Sequence, residues 1–211
     1  MTDYKALYAQ KLVTPEIIAG MVQDGWVFGM DTGTSQTPAI MSAVAERAKN
    51  SELKGLKVHT LLDIYPYEFY ADEALKGKMT GYSWFSSAGA RKAINAGYAD
   101  FIPGYYRDLP RHIRAEYEYD AFCVEVSPMD SHGYFSLALN GSYCEAMMDK
   151  AKRIFIEVNE KQPRCLCGTQ IHISQVDAIV EYNHELPVLP PVVLDETSIT
   201  IGNIIAEQIP D

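Results

Sequence analysis

The sequence predicts an α/β fold, built on a mainly parallel open sheet with helices on both faces. Two observations carry this prediction: apolar, strand-like runs alternate with helix-like segments along most of the chain, and Gly, Pro or Asp residues stand at most of the boundaries. The chain has 211 residues, which is enough to bury a core. Because the helix after its proline-rich run is too short to form a domain, we expect one domain over residues 1–211.

The first third of the chain is marked by two helix starts. Thr14-Pro15 and Thr37-Pro38 each combine a threonine N-cap with proline at the first helical position, so a helix is predicted to begin at each. An apolar strand at residues 26–30 lies between them and leads into a loop at residues 31–36. A second strand is predicted at residues 56–62.

The middle of the chain is rich in aromatic side chains. Residues 65–85 contain seven of them with no clear period. Together with Tyr105 and Tyr106 they could line an acyl or substrate pocket, although aromatic residues more often belong to a core. The remaining predictions here are, in order, a helix at 91–95 that ends at Gly97, a strand at 99–102 and a helix or turn at 109–117.

The last third contains the clearest strands, at residues 121–126 and 153–158. Between them, Ser142 and Glu145 fit a capping box that opens a helix running to about Lys152. The further predictions are a helix at 174–182, a proline-rich connector at 186–191 and an amphipathic helix at 198–208.

The formal net charge of −10 argues against nucleic acid and anionic membranes as partners. No apolar run is long enough to span a membrane, and residues 1–16 hold no signal-peptide core, so a cytoplasmic location is expected. An anionic ligand would need a partner subunit or local cations to offset this field. The candidate cations are Arg91, Lys92, Arg107, Arg111 and Arg114.

The cysteines predict buried thiols and no metal site. Cys123 lies in an apolar strand and Cys144 in a helix, as core thiols do. Cys165 and Cys167, with His172 nearby, suggest zinc, but their spacing lacks the usual two intervening residues and no second ligand pair follows.

Three loops follow predicted strands, at residues 31–36, at residues 127–133 and from Asn159 onward. Ligands of open α/β sheets bind outside the carboxyl ends of the strands, where such loops converge. The candidate binding residues are Gly29, Gly33 and Thr34 in the first loop, Ser127, Pro128, Asp130, His132 and Gly133 in the second, and Asn159 in the third.

Each loop has an alternative interpretation. The first is either a tight turn or a carboxylate- or acyl-binding loop, and it carries neither a dinucleotide nor a P-loop fingerprint. The second places Ser127, Asp130 and His132 together, but residues so close along a chain rarely form a catalytic triad, and no G-x-S-x-G elbow is present. Beside the third, Glu157 is either a structural acceptor, which we favour, or a catalytic group.

The block FCVEVSPMDSHGYFSLALNGSYCEAMMDKAKRIFIEVNEKQPR, residues 122–164, resembles the acetyl-CoA hydrolase/CoA-transferase family, of the 4-hydroxybutyrate or butyryl-CoA:acetate CoA-transferase type. That family carries similar "SP-x-D-x-HGY" and "EVN-x-x-x-P" blocks in its N-terminal half. Other positions that match the family are Gly29, Gly33, Pro38, Arg91, Gly97, Asp100, Pro103 and Pro110. The segment 137–141 and Tyr143 depart from its pattern, which puts the identity of the substrate in doubt.

The resemblance implies a CoA-transferase-like fold and a reaction that moves CoA between an acyl-CoA and a short carboxylate. The family's nucleophilic glutamate lies in a C-terminal half that this chain does not reach, so no catalytic residue is expected here. The chain would be either truncated or a separate subunit, with that half as its partner. Coenzyme A is expected as a substrate, with no tightly bound cofactor, and an oligomer is expected. The alternative is a non-catalytic acyl-CoA or carboxylate-binding module of the same fold.

Overall fold

The structure, a computed structural model, describes residues 3–51, 53–166 and 168–210. Its helices are α1 (Tyr4–Lys11), α2 (Pro15–Met21), α3 (Pro38–Lys49), α4 (Ala88–Ala96), α5 (Leu109–Glu116), α6 (Cys144–Lys150) and α7 (Glu196–Ala206). Its strands are β1 (Val27–Met30), β2 (Leu56–Thr60), β3 (Met79–Ser83), β4 (Ala99–Phe101), β5 (Ala121–Val126), β6 (Tyr134–Ser136), β7 (Ile154–Val158), β8 (Gln170–His172) and β9 (Ala178–Glu181).

The main sheet has the strand order β4-β3-β2-β1-β5-β7-β9, and every neighbouring pair is parallel. The chain moves outward from β1 to β4 on one side and from β5 to β9 on the other. The order therefore reverses between β1 and β5, which is where open α/β sheets bind ligands. The strands β6 and β8 form a separate antiparallel pair.

Helices cover both faces of this sheet. Ile18 of α2, Ile40 of α3 and Ala90 of α4 belong to the core on one face, and Ile113 of α5 and Met147 of α6 belong to the core on the other. The predicted parallel α/β sheet with helices on both faces is therefore confirmed.

Strand β5 shows why the sequence predicted these strands well. Cys123 packs into the core on the α3 side, whereas Phe122 and Val124 pack into the core on the α6 side. Because both faces are covered, all six residues of the strand are buried and the sequence is almost continuously apolar. Cys123 and Cys144 are both buried free thiols, as predicted.

Three local predictions were wrong. Residues 65–85, expected to be irregular, contain strand β3. The N-cap of α6 is Tyr143 and not Ser142, and the Glu145 carboxylate instead accepts a hydrogen bond from Thr169 Oγ1 at 2.6 Å, so the capping box is absent. The helix ends at Lys150, close to the expected end at about Lys152.

The third error is the helix predicted at 174–182. That segment is a single 3-10 turn, Ile173–Gln175, followed by the edge strand β9. The His172 and Gln175 side chains close the turn in a capping box. The apolar run after it pairs with β7 and is flanked on its other side by Val13, whose N–H donates to Ile179 O at 2.8 Å.

Residues 186–194 are largely exposed and lead into α7, as the predicted connector and final helix require. The apolar side chains Ile201, Ile204 and Ile205 of α7 are each more than half exposed, at 52%, 56% and 58%. No helix in the described part of the chain combines the length and apolarity needed to cross a bilayer.

Candidate active site

The first loop, which follows β1, is fixed to the end of β2. It contains a single 3-10 turn at Gly33–Ser35. Gln36 Nε2 donates to Asp63 Oδ1 at 2.7 Å, and Asp63 Oδ2 accepts from Thr60 Oγ1 at 2.9 Å and Tyr70 OH at 2.8 Å. Burial raises the pKa of Asp63, although these three donors oppose the shift. The buried Asp63 carboxylate therefore holds the loop in place.

A carboxylate of the chain itself occupies the N-terminus of α3, directly after this loop. Glu157 is fully buried, and its Oε1 accepts from Ile40 N at 2.5 Å. Burial raises the pKa of Glu157 to about 8. Since the Glu157 carboxyl group already accepts an N–H at this helix end, the contact favours the turn interpretation of the loop over binding of an external anion. The contact likewise favours a structural role for Glu157.

The second loop is shaped by Asp130. Its Oδ1 accepts from His132 N at 2.8 Å and Tyr134 N at 2.9 Å, and its Oδ2 lies 2.6 Å from Arg164 Nη2. His132 is exposed, and its Nδ1 lies 3.4 Å from Ser131 Oγ. Ser127 Oγ donates to Pro128 O at 3.3 Å, away from the histidine. These contacts build a turn. The side chains of Ser127, His132 and Asp130 are not hydrogen-bonded to one another as those of a catalytic triad are.

The third loop contacts the first through the buried Gln162 amide and the second through Arg164, which pairs with Asp130. Gln162 Nε2 donates to Thr34 O at 2.7 Å and to Glu125 Oε1 at 2.8 Å. Asn159 Nδ2 donates to the same Glu125 oxygen at 3.0 Å and to His184 O at 3.1 Å. The His184 Nε2 lies 2.7 Å from Glu125 Oε2. The three loops therefore converge at one edge of the sheet, as the sequence predicts.

Two predicted binding glycines lie in tight packing. Gly29 is buried within β1, where an added Cβ would stand 2.6 Å from Met147 Sδ and 3.3 Å from Tyr119 Cδ1. Gly133 has a φ of 86°, and an added Cβ would lie 2.9 Å from His172 Nε2 and from Tyr4 Cδ1. Both positions explain the need for glycine without a ligand, whereas Gly33 and Thr34 lie half-buried on the loop itself.

A further buried carboxyl group belongs to the first residue of the first loop. Asp31 is completely buried at the end of β1, and its Oδ1 accepts from Thr32 N at 2.8 Å. Its Oδ2 has no hydrogen-bond partner within the described residues. Burial raises the pKa of Asp31 to about 7, opposed by the nearby Cys144 thiol and by the N–H of Thr32.

A cavity of about 450 Å³ opens beside the first loop, at the carboxyl ends of β1 to β4 and against α5. Its lining is mostly apolar and includes Thr32, Leu61, Leu62, Trp84, Phe85, Ile102, Tyr105, Tyr106, Leu109 and Tyr117. The pocket and core interpretations of the aromatic region each hold for some of these residues, and both hold for Trp84. Trp84, Phe85, Tyr105 and Tyr106 line this cavity, whereas Tyr67, Phe69 and Tyr70 belong to the core.

Sequence reasoning missed Leu61 and Leu62, which form part of the cavity wall after β2. One signal was present: the predicted strand ends in two leucines, directly before Asp63. Leu62 also has a φ of 48°, a conformation that is uncommon for a residue with a side chain of this size and that no sequence pattern announced.

The described residues contain no group of three or more His, Cys, Asp or Glu side chains placed to hold a metal ion. Cys167, one of the residues considered for zinc, lies outside the described residues.

Comparison with known proteins gives one family and several relatives. The acetyl-CoA hydrolase/transferase N-terminal domain family matches residues 1–190. A succinyl-CoA:cyclohexane-1-carboxylate CoA transferase of Geobacter metallireducens is 33% identical over 211 residues, which cover 99% of this chain and 47% of the relative. A butyryl-CoA:acetate CoA-transferase of Anaerostipes caccae is 31% identical over 182 residues, covering 85% of this chain and 40% of the relative.

Solved structures with a similar fold include the following two proteins. RipA from Yersinia pestis superposes with a TM-score of 0.91 at 32% identity, over 100% of this chain and 51% of that one. A 4-hydroxybutyrate CoA-transferase from Porphyromonas gingivalis gives a TM-score of 0.66 at 17% identity, which shows the fold alone. The chain spans about half the length, or somewhat less, of the curated relatives that it matches.

Proposed function

We propose that this chain, which belongs to the acetyl-CoA hydrolase/transferase N-terminal domain family, is the N-terminal half of a CoA-transferase. The observation that carries the proposal is the family match over residues 1–190, in a chain that covers only 47% of a related CoA transferase at 33% identity. The reaction would move CoA between an acyl-CoA and a carboxylic acid.

Three of the chain's carboxyl groups are buried beside the loops, and Glu116 on the cavity wall is bonded to His112, which supports a nucleophile from elsewhere. Glu125 and Glu157 are both fully buried and held by partners, and Asp31 is equally enclosed. A carboxylate in such a position cannot reach a thioester that enters from solvent. We therefore assign the nucleophilic glutamate to a C-terminal half, which would dock against the carboxyl edge of the sheet.

The chemistry would proceed through covalent steps. The glutamate carboxylate attacks the thioester carbonyl, and the CoA thiolate leaves, giving an acyl-glutamyl anhydride. The thiolate then attacks the glutamyl carbonyl and expels the first carboxylate, giving a glutamyl-CoA thioester. The acceptor carboxylate repeats the sequence in reverse, which forms the new acyl-CoA and restores the glutamate.

The part played by this half would be to hold the acyl group and to shape the pocket. The cavity between the first loop and α5 is apolar and of ligand size. The network centred on Glu125 fixes the first and third loops to each other, which helps to hold the first-loop side of the cavity, at Thr32, in place.

The exposed apolar residues of α7 support a partner subunit or domain. Ile201, Ile204 and Ile205 are all more than half exposed on a helix that follows the connector. A C-terminal half or a second copy that covers them would remove this surface from water. We accordingly propose an oligomer or a two-half assembly as the active form.

The test is a CoA-transfer assay with acetyl-CoA and a panel of carboxylic acids, run with the chain alone and with an added C-terminal half of a related transferase. A matched control uses the same half with its nucleophilic glutamate replaced by glutamine. Transfer only with the intact half supports the proposal. Transfer by the chain alone would overturn the assignment of the nucleophile. Acid or acyl-CoA binding without transfer in any mixture would favour the alternative, a non-catalytic binding module.

A further inference from the structure

The cavity beside the first loop is larger than a short acyl group requires. Its volume is about 450 Å³. A cavity of about 150 Å³ suffices for benzene in another protein, so a two-carbon acyl group would leave most of this space unfilled. Unfilled apolar space forfeits the contacts that hold a ligand. The volume therefore excludes a good fit to a two-carbon acyl group and admits one at least as large as a six-membered ring.

The cavity wall also has a definite shape. Trp84 and Tyr117 stand at 86° to each other with ring centroids 5.8 Å apart, and both line the cavity. Trp84 is fixed from behind by His59, whose ring lies 5.2 Å away. Flat, fixed aromatic walls accept a ring by stacking or by edge-to-face contact. The wall is therefore suited to a ring and poorly suited to a flexible polar chain.

The charges on the cavity wall favour a monocarboxylic acid over a dicarboxylic acid. The described residues that line the cavity include no Lys or Arg. The titratable residues on the wall are His112 and Glu116 of α5, which bond to each other at 3.0 Å with half-exposed side chains. Arg107 lies close by, but its side chain is 80% exposed and stacks on Tyr105. A second carboxylate inside the cavity would lose its hydration without gaining a cation.

We infer that the acyl group carried here is uncharged and ring-bearing, derived from an aromatic or alicyclic monocarboxylic acid, and that neither acetate nor a dicarboxylate is the preferred acid. The inference rests on the proposed function for its chemistry, and it deepens that function by naming the class of acid. The expected discrimination against acetate is at least about tenfold, because a single missing methylene in an apolar pocket already changes binding by about 10- to 200-fold.

The first test is direct binding to the chain, with benzoate, cyclohexanecarboxylate, acetate and succinate as probes. Ligand-observed NMR detects weak binding, and Trp84 fluorescence reports on the cavity. A Trp26→Phe background removes the other tryptophan, which belongs to the core on the opposite face of the sheet. We expect the two ring acids to bind at least about tenfold more tightly than acetate or succinate.

Two lysine variants locate the binding. Leu62→Lys places an ammonium on the cavity wall at a residue that is 43% exposed, and it should weaken benzoate binding by about tenfold while strengthening succinate. Ile64→Lys is the matched control, because Ile64 is 39% exposed two residues further along and is not part of the cavity lining. Equal effects of the two variants would overturn the placement.

The outcomes separate this inference from the proposed function. Transfer by the two-half mixture with acetate or succinate preferred would leave the function in place and overturn the inference. Selective binding of ring acids with no transfer in any mixture would support the inference and overturn the function. Failure of ring acids to exceed acetate in both binding and transfer would overturn the inference.

Discussion

Glu125 and Glu157 are register partners on the neighbouring strands β5 and β7, and both carboxylates are fully buried, yet they are held in different ways. Glu125 is bonded on both oxygens, by Gln162 and Asn159 on one and His184 on the other. Glu157 accepts from Ile40 N on Oε1, whereas its Oε2 has no partner within the described residues. One carboxylate therefore links loops and the other caps a helix.

This contrast predicts opposite effects of the same substitution. Burial, with the charge of Glu125 adding to it, raises the pKa of Glu157 from 4.5 to about 8 against the opposing N–H bonds. Between these values the folded chain holds a proton that the unfolded chain has released, so stability falls as pH rises, by up to about 1.4 kcal/mol per pH unit. Glu157→Gln keeps an acceptor for Ile40 and should flatten this slope and raise stability at about pH 8.

Urea unfolding of both proteins at about pH 5.5 and about pH 8 measures the effect. Asp31, whose pKa is about 7, should account for part of the slope that remains. Glu125→Gln is the matched comparison. The substitution removes the negative charge that accepts from Gln162 and Asn159 and faces His184, so we expect a loss of about 1–3 kcal/mol at both pH values. An unchanged slope in Glu157→Gln would contradict the assignment.

The second prediction concerns His59, which is enclosed by aromatic rings. Its ring centroid lies 4.9 Å from Tyr117, 5.2 Å from Trp84 and 5.5 Å from Tyr119. Burial first, and the charge of Lys57 second, lower the pKa of His59 from 6.5 to about 4. The unfolded chain therefore takes up a proton first on acidification, and stability is lost as pH falls from about 6.5 to about 4.

The loss due to His59 should be on the order of 3 kcal/mol at about pH 4. His59→Phe keeps an aromatic ring in the cluster and removes the titration, so the acid limb of the stability curve should become flatter. His132→Gln serves as the control, because His132 is exposed. The measurement is the free energy of unfolding from about pH 7 down to about pH 4.5. Equal acid limbs in wild type and His59→Phe would count against this role.

The third prediction concerns Gly81, which packs against Tyr70, a residue that bonds to Asp63 of the site. An added Cβ at Gly81 in β3 would collide with the Tyr70 ring and lie 3.1 Å from Phe69 Cε2. The Tyr70 hydroxyl donates to Asp63, which holds the first loop, so Gly81→Ala should disturb the site as well as the core. The expected cost is about 1–3 kcal/mol.

Gly20 provides the comparison, since an added Cβ there meets nothing within 4 Å and the residue lies in α2. Gly20→Ala should raise stability by up to about 1 kcal/mol. Thermal unfolding of the two variants beside the wild type decides the matter. An unchanged stability in Gly81→Ala would mean that the Tyr70 ring can move to make room for the added methyl group.

The fold could be predicted from sequence where one local pattern decides one element. Apolar runs such as 121–126 became buried parallel strands, and Thr14-Pro15 and Thr37-Pro38 each precede a helix that begins at the proline. The prediction failed at 174–182 because an apolar run of that length suits a strand or a helix equally, and only pairing with β7 decides between them.

The candidate site was predictable in position but not in detail. Parallel strands place their following loops at one edge, so convergence followed from the strand assignment alone. The contacts that hold the loops join residues far apart in the chain, such as Gln162 to Thr34 and His184 to Glu125. The cavity likewise draws on the ends of several strands and on α5, and no local pattern records such a meeting.

The fourth prediction tests whether the second loop is a structural turn. The carboxylate of Asp130 accepts from the N–H groups of His132 and Tyr134 and pairs with Arg164. These N–H donors and the Arg164 charge hold the pKa of Asp130 below its usual range despite partial desolvation. The turn should therefore be firm above the unfolded pKa of 3.8 and loosen as pH falls through the lower folded value.

Asp130→Ala should release both amides, so hydrogen exchange at residues 131–134 should become faster at neutral pH, with a loss of about 1 kcal/mol in stability. His132→Ala removes an exposed side chain and should leave both the exchange rates and, within about 0.5 kcal/mol, the stability unchanged. Unchanged exchange in Asp130→Ala would show that the turn does not depend on this carboxylate. A fall in CoA transfer by the two-half mixture in His132→Ala, with exchange unaltered, would instead show that the histidine contacts substrate. That result would give the second loop a role in substrate binding in addition to its structural role.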